Sequence, residues 1–183
     1  MFLEPEVVYN VYFYAGLKLS REEEFQIRKE VQMFLNSGLP AGSIRVADQV
    51  LNPDVGSNPI FVCNFFFVPN SWILREQGSR FDRMSFTVMG SFPRDVAMNF
   101  DNWVEPPLTA KHKTISDYRR YLTLHEFLHV LGFDHSEDNR GIMCQQTKAH
   151  CVDYSGHIEE ELHGPVREHL RQIYDQLATI RRG

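Results

Sequence analysis

Three histidines, a glutamate and a glycine stand at fixed spacing in His125-Glu126-Phe127-Leu128-His129-Val130-Leu131-Gly132-Phe133-Asp134-His135. On a helix, residues four apart share a face, so His125 and His129 can aim their imidazoles at one point. Gly132 can end that helix with a positive φ, a conformation that costs glycine nothing. The turn then brings His135 back as a third ligand. Three imidazoles suit zinc, and three protein ligands leave the fourth tetrahedral position open, which marks a catalytic site rather than a structural one. Glu126, next to the first ligand, projects beside the metal and can take a proton from a water activated there. The rival is a core helix that carries histidines by accident. With 8 His and 11 Gly in 183 residues, chance produces this pattern in on the order of 10⁻⁴ of such chains.

Other residues with chemical capacity are more scattered. Cys144, His150, Cys151 and His157 fall close together and could make a small zinc site or a Cys144–Cys151 disulfide. Their spacing matches no standard zinc pattern, and free thiols with surface histidines in a loop is the reading adopted. Cys63 lies inside an apolar run and reads as a packed small hydrophobe. His112, His163 and His169 are expected in solvent without partners, and Arg94, Arg119 and Arg120 as exposed charges.

The elements that must position the motif follow from patterning. Val7–Tyr14 (VVYNVYFY) is β-branched and aromatic, a strand. Ser20 with Glu23 three residues later forms a capping box, opening a helix with Phe25, Ile27, Val31, Phe34 and Leu35 as its apolar residues, stopped by Gly38 and Pro40. Ser43–Val50 reads as a second strand, and Ile60–Val68 as a central strand buried on both faces. Residues 70–83 are mixed. Met84–Met89 and Asp95–Phe100 read as short strands around Gly90-Ser91-Phe92-Pro93, and Asn102–Lys113 as a loop. From Ser116 a helix presents Tyr121, Leu124, Leu128 and Leu131 to the sheet, with the ligand histidines facing a cleft. Residues 141–156 are irregular. Pro165 starts a last helix with Leu170, Ile173, Tyr174 and Leu177 as its apolar face.

This order predicts an α/β (α+β) architecture: a mixed, mostly parallel twisted sheet of about five strands, two long helices, and a small C-terminal lobe ending in a helix. One domain spans 1–183, with an upper lobe over about 1–132 and the small lobe over about 133–183. No apolar run approaches the ~20 residues that span a bilayer. The net charge of −5 gives no general attraction to nucleic acid. Met1–Glu6 does not read as a signal peptide, and three cysteines are too few for a disulfide-built scaffold. A monomer in a reducing, intracellular compartment is the expectation.

Motif and order together resemble the metzincin zinc peptidases, and within them the matrixin-like ones. The resemblance rests on the zinc motif followed by Ser136, on Gly141-Ile142-Met143, on Asp95–Trp103, and on the stretch from Phe81-Asp82 to Phe92-Pro93. It implies that Met143, in a Met-turn, lies beneath the zinc as an apolar floor. It also implies that Ser85, Phe86, Thr87, Val88, Met89 and Gly90 form an edge strand holding an extended peptide by main-chain hydrogen bonds. Tyr154 would stand in the outer wall of the pocket that receives the residue after the cut. A structural Ca²⁺ is matched only in part, by Asp82 and Asp101. Departures are Leu128, where matrixins have Gly, and Asn99, where they place a histidine of a second zinc site. Leu128 to His135 also resembles YbeY-type endoribonucleases, whose motif has Gly in place of Glu126. A zinc-dependent endopeptidase with Glu126 as general base is therefore expected; the alternatives are such a nuclease or an inactive zinc-binding protein.

Overall fold

The computed structural model describes residues 6–56, 59–137, 141–145, 151 and 156–183. Five strands form one sheet: β1 (Glu6–Phe13), β2 (Arg45–Asp48), β3 (Ile60–Val68), β4 (Phe86–Thr87) and β5 (Arg94–Asn99), in the order β2-β1-β3-β5-β4. All neighbours are parallel except β4, which runs antiparallel along β5 at the sheet edge. The expected mixed, mostly parallel sheet is present.

Helix α1 (Arg21–Gly38) begins at the Ser20–Glu23 capping box, both of whose hydrogen bonds are made. Its buried residues are Ile27, Val31, Phe34 and Leu35. Phe25 is exposed, with the Lys29 ammonium over its ring, because it falls off the stripe that meets the sheet. Tyr9, Phe65, Phe67, Val96 and Met98 face α1 and α4 (Ile115–Leu131) in the main core. The other face of β3 is only half covered. There Phe66 lies with Ala97 and Val68 under α2 (Asn70–Gln77), and Tyr12 stacks on Phe66 while remaining exposed. β3 is central but buried on one face, not both.

Two further expectations change. The segment after β5 opens with a short helix, α3 (Phe100–Val104), capped by the Asn99 side chain, and only then becomes a loop. The last helix, α5 (Glu160–Arg182), starts five residues before Pro165. Proline there forfeits one hydrogen bond near the helix start, and the burial of Val166, Leu170 and Ile173 outweighs it. Cys144 and Cys151 form a disulfide, Cα–Cα 6.0 Å, which corrects the free-thiol reading. The two sulfurs are joined in the interior, a pairing that spacing alone does not reveal. Cys63 is a buried free thiol, as its apolar surroundings imply.

Candidate metal centre and its cleft

Helix α4 is buried nearly all round, from Tyr118 to Leu131. It ends where Gly132 takes φ 103° and ψ 10°. The Gly132 N–H donates to the His129 carbonyl and the Phe133 N–H to the Leu128 carbonyl, each at 3.0 Å, the paired bonds of a Schellman stop. That reversal returns His135 to the helix. The Nε2 atom of His135 lies 3.2 Å from His125 Nε2 and 3.0 Å from His129 Nε2. Among the described residues, these three histidines form the one group of three or more ligand side chains, with donor atoms all within 4.8 Å.

The rings are oriented by the protein itself. His125 Nδ1 meets the Ile142 carbonyl at 2.7 Å, and His129 Nδ1 meets the Phe133 carbonyl at 2.7 Å. A carbonyl only accepts, so each Nδ1 carries the proton and each Nε2 presents a lone pair. Burial and the neighbouring His129 push His125 down to about 3, and burial lowers His129. Both imidazoles are neutral near pH 7. The Nε2 lone pairs of His125 and His129 both face His135 Nε2, an arrangement suited to a shared metal ion. A tetrahedral zinc with bonds of about 2.0–2.1 Å sets ligand nitrogens roughly 3.3 Å apart, close to what is seen. The donor set fits zinc.

Glu126 is 3% exposed. Burial pushes its carboxyl up to about 7, opposed by a hydrogen bond from Thr87. The Thr87 hydroxyl donates to Glu126 Oε2 at 2.8 Å, across 39 residues. Thr87 is one of the six residues expected in the edge strand, but the role of its side chain was not read from sequence. Alternation is the signal that could have found it: Phe86 packs with Phe81 on the far face, so Thr87 must face α4. The paired strand is also shorter than expected. Ser85 Oγ accepts the Asn99 N–H at 2.9 Å, replacing a ladder bond, and the Val88 N–H donates to the Asp95 carbonyl at 2.8 Å. Met89 and Gly90 lie beyond the ladder.

Ile142 and Met143 are buried. The Ile142 N–H donates to the Glu159 carboxylate, and the Met143 carbonyl accepts from the Ser136 N–H at 3.0 Å. This turn therefore holds His125 from one side and the chain after His135 from the other. Tyr121 was expected on the sheet-facing stripe. It lies four residues before His125 and shares its face, with ring centroids 5.1 Å apart, and its hydroxyl donates to the Cys144 carbonyl at 2.9 Å. A cleft of about 260 Å³ is lined by the triad, Glu126, Thr87, Tyr118, Tyr121, Asn102 and Arg83. Burial first, then the Glu126 charge, raise the Tyr118 phenol above its usual range, with the Asn102 amide opposing them.

The three arginines expected as free surface charges are all engaged. Arg94 Nη1 donates to the His129 and Val130 carbonyls at 3.1 and 2.5 Å, closing the C-terminal end of α4. Arg119 pairs with Glu30 at 3.0 Å and donates to the Trp103 carbonyl at 2.8 Å; Arg120 lies over the Phe34 ring. The histidines expected in solvent are placed as well. His112 packs on Tyr118 and Tyr121, His163 Nε2 meets the Ile158 carbonyl at 3.0 Å, and His169 lies on Phe133. Asp101 Oδ2 accepts the Asn70 N–H at 3.2 Å and Asp82 Oδ1 accepts from Asn70 Nδ2 at 2.8 Å. Tyr154 and His150 lie outside the described residues.

The fold is metzincin-like. It is similar to that of archaemetzincin from Methanopyrus kandleri, with a TM-score of 0.54 at 9% sequence identity, over 91% of this chain and 96% of that chain. At that identity the likeness is one of fold. No protein-family model matches the chain, and no curated protein does.

Proposed function

We propose that the chain is a zinc-dependent endopeptidase with Glu126 as its general base. The observation that carries this reading is the convergence of three imidazole Nε2 atoms, two of them on the helix that also carries the buried carboxylate of Glu126. His125, His129 and His135 would hold the ion. Zinc, when bound, supplies Lewis acidity toward the scissile carbonyl and acidifies a water. Thr87 occupies Glu126 Oε2, which leaves Oε1 to receive that proton and pass it to the leaving nitrogen. The outer edge of β4 offers main-chain groups between Ser85 and Gly90 to an extended peptide, as in matrixin-like peptidases. Met143 serves as the apolar floor of the site. A peptide or protein is the partner this reading requires, and the chain acts as a monomer.

The test offers an unfolded protein and an RNA to zinc-loaded wild type and to Glu126→Gln, with metal content verified in each. General-base catalysis is worth about 10²–10⁴-fold, so proteolysis is expected to fall by at least that range while zinc remains bound. RNA cleavage that persists in the mutant, with no proteolysis by wild type, overturns the reading in favour of the nuclease. A zinc-loaded wild type that cleaves neither is an inactive zinc-binding protein.

A further inference from the structure

Arg83 lies just ahead of β4 and is the one arginine or lysine lining the cleft among the described residues. Its φ is 54°, a left-handed backbone that an arginine rarely adopts and that persists only where the surroundings enforce it. Here they do. The Arg83 N–H donates to Asn70 Oδ1 at 2.8 Å, and its carbonyl accepts from Asn102 Nδ2 at 2.8 Å. A third asparagine ties those two together. Asn99 Nδ2 donates to Asn70 Oδ1 at 2.9 Å, and Asn99 Oδ1 accepts the Asn102 backbone N–H at 3.2 Å. Three side chains from α2, β5 and α3 thus fix the backbone of one cleft residue.

Its charge is not neutralised by any described residue. Among the described residues no carboxylate lies within ion-pair distance of the Arg83 guanidinium, and neighbouring Asp82 is turned to Asn70. A second observation points to a ligand. Asn102 is 1% exposed and lines the same cleft, and although the Tyr118 phenol lies against its amide, its Oδ1 makes no hydrogen bond of good geometry among the described residues. The Nδ2 bond to the Arg83 carbonyl fixes which way this amide lies. A buried acceptor without a donor is costly, and the cost is relieved when a ligand N–H reaches it.

The geometry points to a carboxylate-recognising subsite at this end of the cleft. Arg83 takes the carboxylate in its planar fork, and Asn102 Oδ1 takes an N–H of the same ligand residue. Peptides offer that pair in two ways: a backbone N–H beside an acidic side chain, or beside the α-carboxylate of a C-terminal residue. The subsite deepens the peptidase reading above and rests on it.

Peptide binding to zinc-loaded Glu126→Gln is measured by calorimetry, so that no turnover intervenes. The probes are one peptide series with an internal Glu or Gln, and a second with a free or an amidated C-terminus. The better carboxylate probe is expected to bind about 10–100-fold tighter than its neutral partner. That ratio falls to near one when Arg83→Met is added. Arg83→Gly repeats the test with the left-handed backbone relieved, in case the methionine variant folds poorly. A ratio near one before Arg83 is changed, or a ratio surviving both substitutions, overturns the subsite. Cleavage by wild type keeps the two ideas apart. Proteolysis without carboxylate preference removes the subsite alone, whereas Arg83-dependent binding without proteolysis removes the peptidase alone. No binding and no cleavage removes both.

Discussion

Thr87 gives Glu126 its one side-chain hydrogen bond among the described residues. The threonine hydroxyl has a single proton, and the shorter contact is to Oε2 rather than to the Glu126 carbonyl at 3.2 Å. A hydrogen bond to a charged group contributes about 1.5 kcal/mol or more, so Thr87→Val is expected to lower kcat roughly tenfold. Zinc content stays unchanged, and Thr87→Ser restores the rate. A valine variant with wild-type kcat would remove Thr87 from the chemistry. Met143, 4% exposed, makes a separate case. Met143→Leu preserves volume and should cost less than about 1.5 kcal/mol. Met143→Asp buries an unpaired charge and should cost on the order of 3 kcal/mol or more, read from denaturant unfolding. Unchanged unfolding in the aspartate variant would show that this position is not a closed apolar floor.

At the scale of elements, two glycines contrast conformation with space. Gly132 sits at φ 103°, and a Cβ added there would meet nothing within 4 Å. Gly132→Ala therefore meets only backbone strain, about 1 kcal/mol. Gly38, at the end of α1, has Leu124 Cδ1 of α4 at 2.5 Å from where a Cβ would stand. Gly38→Ala pushes the two helices apart, and overpacking of that kind costs about 1–3 kcal/mol. Chemical denaturation of both variants is the measurement, with Gly38→Ala expected to lose more. Equal losses would mean that α1 and α4 separate freely. These elements were legible in the chain because their signals are local. The Ser20–Glu23 box, the apolar run of β3 and the 125–135 motif each lie within a few turns of sequence. What could not be read joins distant residues: Thr87 to Glu126, Arg94 to the His129 carbonyl, Tyr121 to the Cys144 carbonyl. A threonine in a strand or an arginine at its start has no sequence mark of what it will touch. Packing decides that.

At the scale of the whole molecule, the Cys144–Cys151 bridge ties two buried positions together next to the turn that carries Met143. Joining residues seven apart restricts a short loop, for which the chain-entropy estimate is about 2–3 kcal/mol. Replacing both cysteines by serine should lower stability by roughly that amount. The loss should match that of the wild type treated with a reductant, measured by the same unfolding curve. Wild type indifferent to reductant would mean that the bridge contributes nothing to the native state.

The three ligand rings are graded in exposure: His125 buried, His129 intermediate and His135 exposed. Two of them are held by backbone carbonyls rather than by the ion, so the histidine cage precedes its occupant. Chelation is therefore expected to leave far-ultraviolet circular dichroism unchanged, unlike domains whose folding is metal binding. Were zinc held there, the exposed His135 would be the ligand a chelator reaches first, and the turn from Gly132 to Ser136, which carries that ring, would govern how readily the site opens.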